Sequence, residues 1–337
     1  MKVNVGIVGA GFFGNLHAKV YNEYHRCNLK IICDLNESKA KDLADEYKCE
    51  FTNDYREIAN NSDIQAVSIT TPDYAHKDIA LEMLKAKKHL LIEKPLTMDV
   101  GEGLEILDVA KKTDTKTMVD FTNRWNQPFA EAKRTIQDGN IGQPIHAYAR
   151  LSVKIDSPTG MYANWASRSG PEWYLMPHTV DLICWLLDRK PTNVYASGIK
   201  SILKGKGFSC YDAVQVQSMF GEIAVAFESS WVLPMSWPGA IDFRIDIQGT
   251  EGYISVCPNY QGIIIADNDS YSAPTLTQLQ NVHGRNVGFL AGPLRHFIDC
   301  IVEDKNPMIS LEDGFVVTQF ISAVRESIQK MSLVVLP

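Results

Sequence analysis

No block of like charge runs along this 337-residue chain, and that absence excludes several partners. Its 33 Lys and Arg are interleaved with 40 Asp and Glu, for a net charge of -7. A mildly acidic, evenly mixed surface repels a phosphate backbone, so no nucleic acid is expected as a partner. Long apolar runs are also missing, and nothing approaches the ~20 residues a bilayer-spanning helix needs. The opening run Val3–Val8 is too short for a span and is not followed by a cleavage pattern. The chain therefore reads as cytoplasmic, with no membrane partner.

The seven cysteines (Cys27, Cys33, Cys49, Cys184, Cys210, Cys257 and Cys300) form no CxxC pair and no zinc pattern. Most sit in apolar stretches such as Ile31-Ile32-Cys33, so they read as buried thiols in a reducing compartment. No metal is expected. Repeats, low-complexity tracts and flexible linkers are absent too. A chain this long exceeds what one core usually supports, which points to two domains.

What is present falls into two patterns. In the first third, short apolar runs at Val3–Val8, Leu29–Cys33, Ala66–Thr70, His89–Ile92 and Thr117–Val119 alternate with helical stretches. Those stretches lie around Gly14–Tyr24, Glu37–Tyr47, Tyr74–Lys85 and Val100–Lys111. The runs are continuous rather than alternating, as a parallel sheet covered on both faces requires. The spacing predicts an α/β Rossmann domain, a doubly wound parallel sheet, over 1–122. Beyond it, one helix is expected over Pro128–Gln137, an apolar one over His178–Leu187 and a closing one over Leu311–Met331. Longer, more alternating segments lie at Ile145–Val153, Asn193–Ser201, Ala213–Phe220, Ile223–Trp231, Ile241–Gln248 and Gly252–Val256. They predict an α+β C-terminal domain over 123–337 with a large, mainly antiparallel open sheet.

Gly9-Ala10-Gly11-Phe12-Phe13-Gly14 follows the first strand and opens the first helix. Gly9 permits the tight turn, Gly11 lets backbone approach a pyrophosphate, and Gly14 lets helix and strand pack closely. The helix N-terminus then offers unpaired N–H groups to the phosphates. Asp34 ends the second strand about 20 residues after Gly14, where a ribose-binding acid belongs. Its charge disfavours a 2′-phosphate, and no Arg follows it within Leu35–Ser38. NAD is therefore expected over NADP.

Thr70-Thr71-Pro72-Asp73-Tyr74-Ala75-His76 and the later Glu93-Lys94-Pro95, taken with the glycine loop, resemble the glucose–fructose oxidoreductase / inositol dehydrogenase / rhizopine catabolism (Gfo/Idh/MocA) family. Ile141-Gly142-Gln143-Pro144 and the stretch from His178 to Leu182 are similar to further family landmarks. The resemblance implies hydride transfer between a nicotinamide and a secondary alcohol of a sugar, polyol or inositol. It implies Lys94 and His178 as the catalytic pair, a cis bond before Pro95, and association as homodimers or homotetramers through the C-terminal sheet. The glycine loop (Gly9 to Gly14), Asp34, Thr70, Thr71, Pro72, His76, Glu93 and Lys94 would contact the cofactor. The chemistry of Lys94 also stands by itself. At the carboxyl edge of a parallel strand, burial and a cationic ring lower an ammonium toward a range useful for proton transfer.

Around the substrate the chain offers Arg124, Trp125, Asn126, Tyr162, Trp165, Arg168, Trp173 and Tyr174, with Lys94 and His178 shared with catalysis. Aromatic faces stack on the C–H faces of sugar rings, while Arg and Asn read hydroxyls; aromatics are also ordinary core filler. Asp181 follows His178 by one helical turn and could orient its neighbours. One departure from the family pattern matters: Tyr174 occupies the position of an Asp common in sugar and inositol dehydrogenases. Two alternatives stay open, a glycosidase-type enzyme that oxidises transiently with held NAD, and a non-catalytic NAD(P)-binding regulator.

Overall fold

The computed structural model describes residues 2–259, 263–266, 271–272 and 277–337. They form two compact units, Met1–Thr122 with Leu279–Phe315, and Asn123–Gln278 with Val316–Pro337. Among the described residues no helix is long and apolar enough to cross a membrane.

The first unit is built on strands β1 (Val3–Val8), β2 (Cys27–Cys33), β3 (Glu50–Thr52), β4 (Ala66–Ile69), β5 (His89–Glu93) and β6 (Thr117–Asp120). Helices α1 (Phe12–Glu23), α2 (Glu37–Tyr47), α3 (Tyr55–Asn60), α4 (His76–Lys85) and α5 (Val100–Ala110) connect them. All six strands are parallel, in the order β3-β2-β1-β4-β5-β6. The expected Rossmann sheet is thus present, and β4 is buried along its whole length. The order reverses at β1 and β4, the switch point outside whose carboxyl ends such sheets bind ligands. β3 and α3 escape a sequence reading because β3 is three residues long with two of them exposed. A further unforeseen helix, Ala291–Val302, packs against α1, β1 and β6 and completes this unit's core.

The second unit contains α6 (Gln127–Gln137), β7 (Pro144–Lys154), α7 (Pro171–Tyr174), α8 (Met176–Leu187), β8 (Asn193–Ile199), β9 (Ala213–Phe220), β10 (Ile223–Leu233), β11 (Ile241–Gly249) and β12 (Tyr253–Val256). Its seven-stranded sheet runs β12-β11-β7-β10-β9-β8, closed by the short strand Val334–Val335. The pairing is antiparallel except for β7 with β10. That pair is parallel because the chain returns through α7, α8 and a hairpin instead of a tight turn. Alternation places Ala147, Ala149, Leu151, Val225, Phe227, Ile245 and Ile247 in the core, beneath α8. The closing helix, Leu311–Lys330, contributes its Ser327 hydroxyl as acceptor for the Ala196 N–H.

All seven cysteines are free thiols, but not all are buried. Cys27, Cys33, Cys210 and Cys300 are, Cys49 and Cys184 are half-buried, and Cys257 just past β12 is exposed.

Candidate functional site

The glycine loop of the first unit has the shape a pyrophosphate requires. Gly9 has φ +112°, and a Cβ there would meet the Thr70 backbone. A Cβ on Gly14 would collide with the Gly9 carbonyl, whereas one on Gly11 would meet nothing within 4 Å. Two of the glycines are thus sterically required, and the third keeps open the approach to the backbone. The Thr70 hydroxyl donates to the Gly9 carbonyl at 2.8 Å and ties the loop to the end of β4. Helix α1 starts with no side-chain cap and no acidic residue in its first turn. In α2, α3 and α5, by contrast, Asn36, Asp54 and Asp99 serve as caps. An uncapped N-terminus keeps its N–H groups and positive dipole end for an anion. The Thr71 hydroxyl, beside this loop, is buried and has no partner among the described residues.

Asp34 is held in place by both carboxylate oxygens. Oδ2 accepts the Ala10 N–H and Oδ1 the Asn36 N–H, each at 2.8 Å. Phe12 is exposed at the loop and stands edge-on to Phe13, with ring centroids 5.4 Å apart. Together, the cradle, the fixed acid and the orphaned hydroxyl fit a dinucleotide.

Glu93 and Lys94 stand at the carboxyl end of β5 as expected, and the Lys94–Pro95 bond is cis. Lys94 is only 5% exposed. Burial pushes its ammonium below the ordinary value, while Glu93, Asp73 and Asp120 pull it back up. His76 joins the two turns of this edge, with Nδ1 2.9 Å from the Pro95 carbonyl and Nε2 3.0 Å from that of Thr71. Pro72 lies in the same turn, just ahead of the half-turn Asp73–Ala75 that leads into α4. Two buried residues here were not anticipated: His17 on α1 and Asp120 at the end of β6. A His three residues after the last glycine, inside an apolar helix face, was the signal available for the first of them.

In the second unit, His178 occupies the first turn of α8. The Asn123 side-chain amide lies 3.3 Å from its Nδ1 and holds the ring in place. Asn123 is another residue the sequence reading missed, immediately ahead of the Arg124-Trp125-Asn126 run it singled out. Arg124 and Asp181 form a buried two-pronged pair, Nε to Oδ2 at 3.1 Å and Nη2 to Oδ1 at 2.6 Å. The guanidinium expected to read hydroxyls is therefore engaged inside the protein, and Asp181 orients it. Asn126 is buried, and its backbone carbonyl accepts from Phe129 and Ala130 as α6 begins.

Tyr162, Trp165 and Tyr174 gather into one aromatic cluster, with centroid separations of 4.7 to 5.2 Å. The Tyr174 hydroxyl donates to that of Tyr162 at 2.7 Å. Burial raises the Tyr162 phenol, and the bond from Tyr174 works against that shift. Trp231 lies beneath, fully buried and 6.0 Å from Tyr174, as packing. Trp173 is 1% exposed and belongs to the core rather than to a wall. Trp125 is half-buried, and Arg168 is exposed at the end of a 3-10 turn.

A family model described as "Oxidoreductase family, NAD-binding Rossmann fold" matches residues 3–121, and one described as "GFO/IDH/MocA C-terminal domain" matches 129–255. The chain is 30% identical over 199 residues to the uncharacterized oxidoreductase YrbE of Bacillus subtilis, covering 58% of this chain and 57% of that protein. It is 30% identical over 283 residues to inositol 2-dehydrogenase of Rhizobium meliloti, covering 82% of each. Among solved structures, scyllo-inositol dehydrogenase of Lactobacillus casei with bound NAD(H) and scyllo-inositol shares the fold, with a TM-score of 0.86 over 99% of both chains at 19% identity.

Proposed function

Because this chain belongs to the Gfo/Idh/MocA oxidoreductase family, we propose that it is an NAD-dependent dehydrogenase of a cyclic polyol, with inositols the first class to test. The observation that carries the reading is the first unit's edge. There an open, uncapped glycine loop and a fixed Asp34 lie on the same sheet edge as the buried Lys94. A bound nicotinamide supplies the hydride acceptor. Lys94, its ammonium lowered by burial, takes up the proton of the reacting hydroxyl and returns it in the reverse direction. His178, held by Asn123, is the second group that handles the proton at the substrate oxygen. Tyr162, Trp165 and Tyr174 offer ring faces to the C–H face of the polyol. Arg124, Trp125 and Arg168 complete the set of residues assigned to substrate.

Asp34 favours NAD over NADP, since its carboxylate accepts from ribose hydroxyls and repels a 2′-phosphate. The protein is assigned to the cytoplasm and to a homodimer or homotetramer formed through the second unit's sheet. The outer face of that sheet exposes Tyr195, Ile199 and Tyr253.

The test is formation of NADH from a panel of inositols, aldoses and ketoses, with NAD and NADP supplied separately. Turnover that vanishes in Lys94→Ala supports the assignment, and wild-type turnover in that variant overturns it. Glycoside cleavage without net NADH would replace it with the redox-elimination reading that Tyr174 keeps open.

A further inference from the structure

The trio His17, Glu93 and Asp120 is an expensive arrangement for which the reading above has no use. His17 Nε2 lies 3.3 Å from Glu93 Oε1 and 3.4 Å from Asp120 Oδ2, and all three side chains are buried. Phe13, Leu16, Val20, Leu290 and Leu294 surround them with apolar groups. Two carboxylates in such a place are stabilised by a cation between them or by a proton on one of them. Burial opposes charge on the imidazole, yet hydrogen bonds and charge from Asp120 and Glu93 outweigh it and raise the group to about 9. Burial raises Asp120 as well, and His17 restrains the rise.

The connectivity gives the cluster its meaning. His17 sits one turn into α1, the helix that the glycine loop opens. Glu93 ends β5, and its other oxygen accepts the Lys94 N–H at 3.2 Å. Asp120 ends β6. Lys94 feels Glu93, Asp73 and Asp120. His17 faces Glu93 and Asp120, with the Tyr21 ring edge-on at 6.1 Å. Two cations thus share two carboxylates, and any coupling between them runs through Glu93 and Asp120.

We propose that His17 is a positioning residue, which fixes the Glu93 carboxylate beside Lys94 and ties the phosphate-binding helix to the strand end that carries the lysine. The kinetic part of this inference rests on Lys94 acting on substrate; the coupling of the two side chains does not.

The experiment compares full-length wild type, His17→Gln and Glu93→Gln. Acylation of Lys94 is followed against pH by mass spectrometry, with NAD affinity and kcat/KM measured in parallel. Removing the imidazolium moves the Lys94 midpoint up by about one pH unit, and removing the carboxylate charge moves it down. At neutral pH His17→Gln then loses about tenfold in kcat/KM, the same one-unit shift read as a rate, with NAD affinity little changed. A purely structural role moves neither midpoint, and unchanged midpoints in both variants overturn the proposal. If His17→Gln does not fold, the wild-type ring decides by NMR. Charge retained through neutral pH supports the coupling, and titration at the ordinary histidine value overturns it. Stoichiometric Zn2+ binding by wild type that Glu93→Gln abolishes also overturns it, because the three donor atoms would then serve an ion. Shifted midpoints with lysine-independent turnover would sink the dehydrogenase assignment alone. Lysine-dependent turnover with fixed midpoints would sink the coupling alone.

Discussion

The phenol of Tyr174 donates its proton to the phenol oxygen of Tyr162 across 2.7 Å. Where the family resemblance leads one to expect a carboxylate, this phenol has a neutral partner. Tyr174→Phe leaves Tyr162 without its donor and costs about 1 kcal/mol of stability, read by denaturant unfolding. The same variant should keep its NAD affinity and weaken KM for the polyol. An unchanged KM would remove Tyr174 from the substrate wall.

Arg124 and Asp181 offer a sharper test of burial. Breaking a buried, two-pronged pair from one side strands a charge and costs roughly 3–5 kcal/mol. Arg124→Met should therefore lower the unfolding midpoint far more than the double variant Arg124→Met/Asp181→Leu. Equal losses in both would show that the pair's charge matters little.

The three loop glycines should separate folding from binding. Gly14→Ala drives a Cβ into the Gly9 carbonyl and should reduce stability with or without cofactor. Gly11→Ala meets nothing inside the protein, so its melting temperature should match wild type. Its NAD affinity, by calorimetry, should fall by about tenfold or more if phosphates approach there.

Asp34 holds the loop, because Oδ2 accepts the Ala10 N–H, and under the proposed function it also faces the ribose. Asp34→Ser removes the charge that repels a 2′-phosphate, so the NAD:NADP ratio of kcat/KM should fall by about an order of magnitude. Unaltered selectivity would place discrimination elsewhere.

The raised imidazole of His17 gives stability a pH dependence of known sign. Its folded value, about 9, exceeds the unfolded one, so the folded state binds the proton more tightly. The contribution is complete below about 6.5 and is lost as pH rises through about 9, amounting to at most about 3–4 kcal/mol. Urea unfolding at pH 6, 7.5 and 9.5 should show that decline in wild type and a flatter profile in His17→Gln. Asp120, also raised, acts in the same sense but at lower pH.

The parallel strands and the glycine loop were legible in the sequence because each is a local pattern, an apolar run or a steric requirement at one position. Lys94 was singled out by the resemblance of Glu93-Lys94-Pro95 to a family motif, and its place after an apolar run agreed with that. His17, Asp120 and Asn123 were not, since their importance lies in partners distant in the chain: Glu93 is 76 residues from His17. The pairing of Arg124 with Asp181, 57 residues on, was hidden for the same reason. The parallel pairing of β7 with β10 was likewise hidden, because alternation reports which face is buried and says nothing of strand direction.

The first unit takes its last element from residues 279–315, after the whole stretch 123–278 has intervened. During synthesis, at ~5–20 residues per second, α1, β1 and β6 therefore wait on the order of ten seconds for the helix Ala291–Val302 that packs on them. Throughout that interval the nascent chain shows an uncovered apolar flank beside a finished glycine loop. A shortened gene product ending near residue 122 would carry that flank permanently. It would be expected to call on chaperones and to bind hydrophobic dyes, however intact its loop.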